Sequence, residues 1–520
     1  MANYDDDARA TKDKLNAVSP SMCMAKWLQV SLHLPQGLTQ SCYHPPTHKI
    51  PLSELSDNPK ALHNTIQKVK ERKQMWEGVR PSGCQYCWNI EDAPDGPHLS
   101  DRHYRSSEWW VGEDGWKEVI EGEWDENINP RYVEVNFNQA CNFKCTYCSP
   151  HLSTEWEKEI NELGPITLGN YMHNDIKSLR EQGLMPSAVA NKDNPYVTAF
   201  WEWWPELYKD LKVFRMTGGE PLMDKNTFKV LDYVNENPNA FLDLSITSNM
   251  CPPDQKLFDN FINKLKAIEQ VRIWEDKEKF NPDSGNNWYV APACKHFSLF
   301  VSVDSVGEQA EYIRTGLDFD KMLNNVRTFL KETNGTEVSF INTFSLLSIP
   351  KLKDYLQMIL DLRIEFGYEK QSEYVEQPPD RNGFVHPPFI RKRRQRIWFD
   401  IPYLREPSWM SAQNAALYPE LIAILDDCVA FMEDNVENEF YGRTYHGFKK
   451  YEIAKLKRDL AWIKSGKTEL SKPELEKRKS LFWNYFNQID IRRNVDFIET
   501  FPELSNWWND CYETTNSQKE

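Results

Sequence analysis

Three cysteines, Cys141, Cys145 and Cys148, stand in the run Cys-Asn-Phe-Lys-Cys-Thr-Tyr-Cys, a CxxxCx-aromatic-C loop. A short loop carrying three thiolates can wrap three irons of a [4Fe–4S] cube and leave the fourth iron without a protein ligand. The same thiols could instead serve zinc, or fill a core as small hydrophobes. Zinc ordinarily takes four closed ligands, and no fourth Cys or suitably spaced His follows within the loop. The element that must position the loop is Tyr132 to Asn138, whose β-branched and aromatic residues alternate in character and read as a strand. Further on, Val213 to Thr217 reads as a second strand running into Gly218-Gly219-Glu220-Pro221. Two glycines let a backbone approach a ligand closely, and the carboxylate after them can accept hydrogen bonds from an ammonium. Leu244 to Asn249 reads as a third strand, ending in small polar residues, Thr247 and Asn249 among them, suited to a ribose or a carboxylate. An apolar strand from Phe297 to Asp304 follows, with Ser302 and Asp304 at its end and Arg314 beyond it.

Cysteine loop, Gly-Gly-Glu and the later strand ends, in this order, resemble the radical S-adenosylmethionine (SAM) superfamily. The resemblance implies that the open iron chelates the amino and carboxylate groups of SAM, and that electron transfer from the cluster splits the sulfonium to a 5′-deoxyadenosyl radical. It implies that Gly218, Gly219 and Glu220 bind the amino group of SAM. Tyr147 would pack near adenine, and Ser302, Asp304 and Arg314 would lie near the ribose and carboxylate. Read without the resemblance, Asp304 is a helix N-cap and Arg314 its surface neighbour. An electron donor such as flavodoxin or ferredoxin is implied as a partner.

A second constellation lies nearer the start. Leu28, Val30, Leu32 and Leu34 share one face at period two, Pro35-Gln36-Gly37 turns the chain, and Cys42 falls on the expected return strand. With Cys23 before the hairpin, the spacing is C-x13-G-x4-C. Pro59 to Glu77 reads as a helix, after which Cys84 and Cys87 form a CxxC. Four converging thiolates suit zinc or an iron–sulfur cluster equally by geometry. Disulfides are disfavoured by a CxxC in a chain whose start lacks the shape of a secretion signal. The hairpin, the long gap, the CxxC and the trailing Glu91, Ser100 and Arg102 resemble the twitch module, the shorter relative of the SPASM domain. That resemblance implies an auxiliary [4Fe–4S] cluster on Cys23, Cys42, Cys84 and Cys87. Here the module precedes the barrel instead of following it. Cys251, Cys294, Cys428 and Cys511 have no ligand spacing and read as ordinary thiols.

With 520 residues the chain has room for two to four domains. A formal net charge of −16 argues against nonspecific nucleic-acid binding, which needs clustered cations. The basic run Arg391 to Arg396 is most simply a solvated loop. The 19 Trp and 22 Tyr suggest deep aromatic packing or an aromatic-lined pocket. No apolar run approaches a membrane span, and a reducing cytoplasm is the expected location.

The expected layout is a polar tail over 1–18, a twitch-like auxiliary-cluster module over 19–105 and a Trp-rich acidic linker over 106–129. A partial (β/α)6 TIM-like barrel over 130–405 and a helical extension over 406–520 follow. Alternating strands and helices argue for an α/β fold with parallel pairing. Insertions near Gly164 to Pro205 and near Glu275 to Ala293 are of a length often seen in lids. A further strand, Val338 to Leu346, precedes the helix Lys351 to Phe366, and Ile397 to Leu404 supplies a sixth. Helices at Leu421 to Phe431 and Ile453 to Ile463 follow, and the run from Asp490 to Leu504 resembles the closing segment of twitch-containing enzymes. The function expected is hydrogen abstraction from a peptide, protein or small-molecule substrate, a net oxidation assisted by the auxiliary cluster. A zinc-binding scaffold and a two-cluster electron carrier are the alternatives.

Overall fold

The computed structural model describes residues 4–94, 96, 98–186, 194–274, 288–333, 335–366, 374–375, 389–390, 395–437 and 446–517. Arg391 to Arg394 of the basic run and positions 275–287 of the second insertion lie outside them. The chain is mixed α/β and forms two compact units, the first of residues 1–141, 176–247 and 263–297, the second of 142–175, 248–262 and 298–520. No described helix is long and apolar enough to cross a membrane.

In the first unit the strands run in the order His48–Lys49, Leu38–Gln40, Gln29–His33, Tyr132–Asn136, Val213–Thr217 and Asn239–Ser248. The hairpin expected near the start is present, with Ser31 opposite Gln40, but its return strand ends at Gln40, so Cys42 lies just past it. Gln29–His33 also pairs in parallel with Tyr132–Asn136, Val30 opposite Val133. The expected separate module is thereby joined to the strand that feeds the cysteine loop. Gln29 to Leu32 are all buried, as a strand covered on both faces requires.

The helix expected from Pro59 to Glu77 is broken. A 3-10 turn, Pro59–Leu62, is followed by Ile66–Trp76, because Thr65 caps the second piece by accepting from the Lys68 amide. The first 18 residues, expected as a polar tail, form the helix Tyr4–Val18, with Ala8 and Leu15 buried seven positions apart on one face. Asp5, Asp6 and Asp7 sit in its first turn, where carboxylates suit the helix dipole. The expected linker likewise folds, as Gly112–Glu121, and puts Trp110, Trp116 and Val119 into a core with Trp27, Met75 and Trp88. Tryptophans here are packing residues, as they are along Pro195–Asp210, where Phe200, Trp203 and Trp204 are buried. The Trp203 indole donates to Asn129 Oδ1 at 2.9 Å, satisfying its polar tip.

In the second unit, Ser298 to Ser302 of the strand Cys294–Ser302 pair in parallel with Glu337–Ile341, which pairs in parallel with Ile397–Asp400. Helices Phe319–Glu332 and Leu352–Phe366 connect them, and Pro419–Asp434, Lys450–Glu469, Lys472–Arg493 and Ser505–Ser517 follow. The first insertion contains a short hairpin, Ile166–Leu168 with Tyr171–His173.

The Arg363 guanidinium, wholly buried, donates to both carboxylate oxygens of Glu452 at 2.7 and 3.2 Å. Removing one member of such a pair strands the other charge in a dry interior. Glu452→Ala should lower unfolding stability by about 3–5 kcal/mol in chemical denaturation, and an unchanged midpoint would refute this reading of the pair.

Candidate functional site

In the first unit the Val213 strand delivers Gly218, Gly219 and Glu220 onto the segment that leads into Cys141. The Glu220 amide donates to the Ala140 carbonyl at 2.6 Å and the Gly219 amide to the Asn138 carbonyl at 3.3 Å. Gly218 has φ +129°, and a Cβ on it would fall 2.3 Å from Asn136 Oδ1; one on Gly219 would fall 2.2 Å from the Ala140 oxygen. Both glycines are therefore required by close approach. Asn138 completes the joint, with Oδ1 accepting from the Ala140 amide at 2.7 Å and Nδ2 donating to Asp224 at 2.5 Å. Glu220 is 1% exposed and caps the turn after it, Oε1 accepting from the Leu222 amide at 3.0 Å.

Thr247 accepts from Arg215 Nη2 at 3.2 Å, and Arg215 Nε stands 3.6 Å from Glu134. Glu134 lies on the face of its strand that also carries Asn136, and burial pushes its carboxyl up against the opposing pull of Arg215 and Tyr43. Sequence reading passed over Glu134 and Arg215. The available signal was a charged residue at the centre of each of two otherwise apolar strands.

The four amino-terminal cysteines are brought together. Cys23, Cys42, Cys84 and Cys87 line one cavity, with Lys26 and Arg102 in its wall. Burial pushes the thiols up, Cys42 and Cys87 to about 12, and neighbouring thiols add to the effect. The Ser41 hydroxyl, 3% exposed, lines the same cavity and has no hydrogen-bond partner among the described residues. Glu91, Ser100 and Arg102, expected as trailing residues of the module, form a network of their own. Ser100 Oγ donates to Glu91 at 2.6 Å, Arg102 donates to Glu91 at 2.8 and 3.0 Å, and Arg102 Nη1 also donates to the Met22 carbonyl next to Cys23 at 2.9 Å.

In the second unit Cys145 is buried and Cys148 half-buried. Lys144–Cys145 pairs antiparallel with Arg314–Thr315, which places Arg314 beside Cys145 with Nη1 3.7 Å from Sγ. Arg314 is fixed by Asp304, Nε to Oδ2 at 2.8 Å and Nη2 to Oδ1 at 3.1 Å. Asp304, wholly buried, also accepts from the Tyr147 hydroxyl at 2.8 Å and the Thr343 amide at 2.7 Å. The N-cap of the following helix, Gly307–Ile313, is Val306, so Asp304 is a buried anchor and no cap. The guanidinium of Arg314 lies 5.6 Å from the Tyr147 ring centroid. Asn249 holds Asn142, donating at 2.9 Å, and Ser302 is half-buried at its strand end. Burial pushes the Cys145 thiol up, with Arg314 opposing, and takes Cys148 to about 12.

Residues far along the chain grip this loop. The Tyr485 hydroxyl donates to the Thr146 carbonyl at 2.5 Å, and the Trp156 indole to the Cys145 carbonyl at 2.8 Å. Arg493 donates to the Lys144 carbonyl and Thr315 Oγ1, both at 2.9 Å, and pairs with Glu159. Of these, only Arg493 stood in a run singled out from sequence.

Both cysteine sets supply thiolate donors, the ligand an iron–sulfur cluster takes. Among the described residues, no group of three His, Cys, Asp or Glu side chains is disposed to hold one metal ion. Tetrahedral zinc draws its thiolates to about 2.3 Å from one centre, whereas a cube spreads its thiolates over four irons.

No protein-family model matches the chain. It is similar to curated GTP 3′,8-cyclases. That of Desulforamulus reducens is 25% identical over 158 residues, 30% of this chain and 37% of that protein. That of Campylobacter lari is 26% identical over 137 residues, 26% of this chain and 33% of that protein. The matched segment thus spans about a third of these relatives' length. Among solved structures, Streptococcus suis SuiB bound to S-adenosylmethionine covers 76% of this chain and 74% of its own at 12% identity and TM-score 0.29. SuiB bound to the precursor peptide SuiA covers 66% and 60% at 12% identity and TM-score 0.26.

Proposed function

We propose that the chain is a radical SAM enzyme of the twitch-containing type, built on a partial (β/α)6 barrel. It cleaves SAM reductively and abstracts hydrogen from a peptide or small-molecule substrate in a net oxidation. The observation that carries this reading is the hydrogen bond from the Glu220 amide to the Ala140 carbonyl, which ties the Gly-Gly-Glu turn to the residue preceding Cys141. Cys141, Cys145 and Cys148 would hold a [4Fe–4S] cluster, which when bound would supply the electron for that cleavage.

The chain's own groups orient and exclude. Glu220 accepts from the SAM ammonium, with Gly218 and Gly219 keeping side chains out of the approach. Thr247, Asn249 and Ser302 serve the ribose and carboxylate, and Tyr147 the adenine. Asp304, engaged by Arg314, Tyr147 and Thr343, acts by fixing Arg314 beside the cysteine loop. Cys23, Cys42, Cys84 and Cys87 would hold the auxiliary [4Fe–4S] cluster, a reading supported by their shared cavity. A flavodoxin or ferredoxin supplies electrons in the cytoplasm.

Protein purified without oxygen should contain about eight irons and eight sulfides per chain, two cubes' worth, and release deoxyadenosine from SAM under a strong reductant. Zinc in place of iron, with no deoxyadenosine, would return the chain to the scaffold alternative. Cys145→Ala should abolish deoxyadenosine release while about half of the iron remains; retained release sinks the assignment of that loop. Cys84→Ala combined with Cys87→Ala should do the reverse, keeping SAM cleavage and losing the iron of the amino-terminal site, as read by iron analysis and product assay together.

A further inference from the structure

Against the four-cysteine cavity lies a surplus of buried positive charge. Lys26, Lys68 and Arg72 are 2%, 1% and 0% exposed. Among the described residues one carboxylate pairs with any of them, Glu71, 2.5 Å from Lys26 Nζ. The partners of the other two are neutral. Lys68 Nζ donates to Thr39 Oγ1 at 3.0 Å and to His63 Nδ1 at 3.3 Å. Arg72 donates to Asn64 Oδ1 at 2.8 Å and to the carbonyl of Lys26 at 3.3 Å. Of the other carboxylates, Asp101 lines the cavity and meets His44 Nε2 at 2.6 Å, and Glu91 is paired with Arg102.

Three buried basic groups against one carboxylate is a costly arrangement, about several kcal/mol per unpaired ion in an interior, and burial, with Arg72 and Lys26 beside it, pushes the Lys68 ammonium well down toward its neutral form. Lys26 lines the cavity together with all four thiols; Lys68 lies within electrostatic reach of Cys42, and Arg72 stands behind them against the Lys26 carbonyl. A four-thiolate [4Fe–4S] cluster carries roughly two net negative charges when oxidised and roughly three when reduced. Its charge matches the surplus, and each cation favours the more negative state.

We propose that Lys26, with Lys68 and Arg72 behind it, is the counter-charge of the amino-terminal cluster and raises its reduction potential, so that this cluster takes up an electron more readily than an unpaired site would. The inference rests on the reading of Cys23, Cys42, Cys84 and Cys87 as a cluster site. These cations touch neither substrate nor SAM; they act through the cluster's charge.

The test is a redox titration read by electron paramagnetic resonance on the full chain carrying Cys145→Ala, so that the signal comes from the amino-terminal site. Adding Lys26→Met should lower the reduced-to-oxidised ratio at fixed potential at least tenfold, about 59 mV for one electron. Lys26→Arg, which keeps the charge, should hold that ratio within about twofold, 18 mV by the same constant. An unchanged ratio in Lys26→Met that retains its iron overturns the inference and leaves the cluster reading standing. Absence of iron from the parent protein overturns both. If Lys26→Met does not accumulate as folded protein, Lys68→Met is read in its place and must shift the ratio in the same direction, or the inference fails.

Discussion

A thiolate buried away from water needs positive charge close by, and each unit of this chain answers that need with a buried cation whose own position is enforced. Arg314 stands beside Cys145 because Asp304 grips it with both oxygens, and Asp304 is held in turn by Tyr147 and Thr343. Lys26 stands beside Cys84 and is braced by Glu71. Without metal the balance tips the other way. Burial raises the thiols toward their protonated forms, and a metal taken up by either set would have to expel those protons. Much of the surrounding architecture serves to keep these cations from relaxing away.

What could be read from the sequence was what is local. Val213–Thr217 announces itself by its β-branched and aromatic residues and ends where the glycines begin. The turn at Pro35 to Gly37 was equally legible, since Gly37 has φ +64° and a Cβ there would overlap the Tyr196 ring. The spacing that suggested convergence of Cys23, Cys42, Cys84 and Cys87 is matched by the one cavity they line. Thr65 also carried a readable signal, a capping hydroxyl ahead of Ile66, that an uninterrupted helix from Pro59 to Glu77 ignored.

What stayed hidden was long-range. Nothing local tells that Gln29–His33 will lie in parallel beside Tyr132–Asn136. A hairpin strand has one edge left over, and its partner is chosen by the whole unit. The linker reading failed for a related reason. The acidic residues around Trp110 and Trp116 suggested solvent, but alternate faces of Gly112–Glu121 separate the charges from the tryptophans, and the apolar face is buried. Tyr485 was invisible because a tyrosine in a helix gives no hint that its hydroxyl will reach the backbone of a loop 339 positions earlier.

That last distance bears on the order in which the molecule is made. Arg493 secures the Lys144 carbonyl, 349 residues upstream, and at about 5–20 residues per second the ribosome needs about 20–70 s to span them. Throughout that interval the cysteine loop exists without its clamp. Until then the hydrogen bonds from Tyr485 and Arg493 to the loop's backbone are unmade. The full hydrogen-bonded setting of this loop is therefore complete only once the helix Lys472–Arg493 has been made.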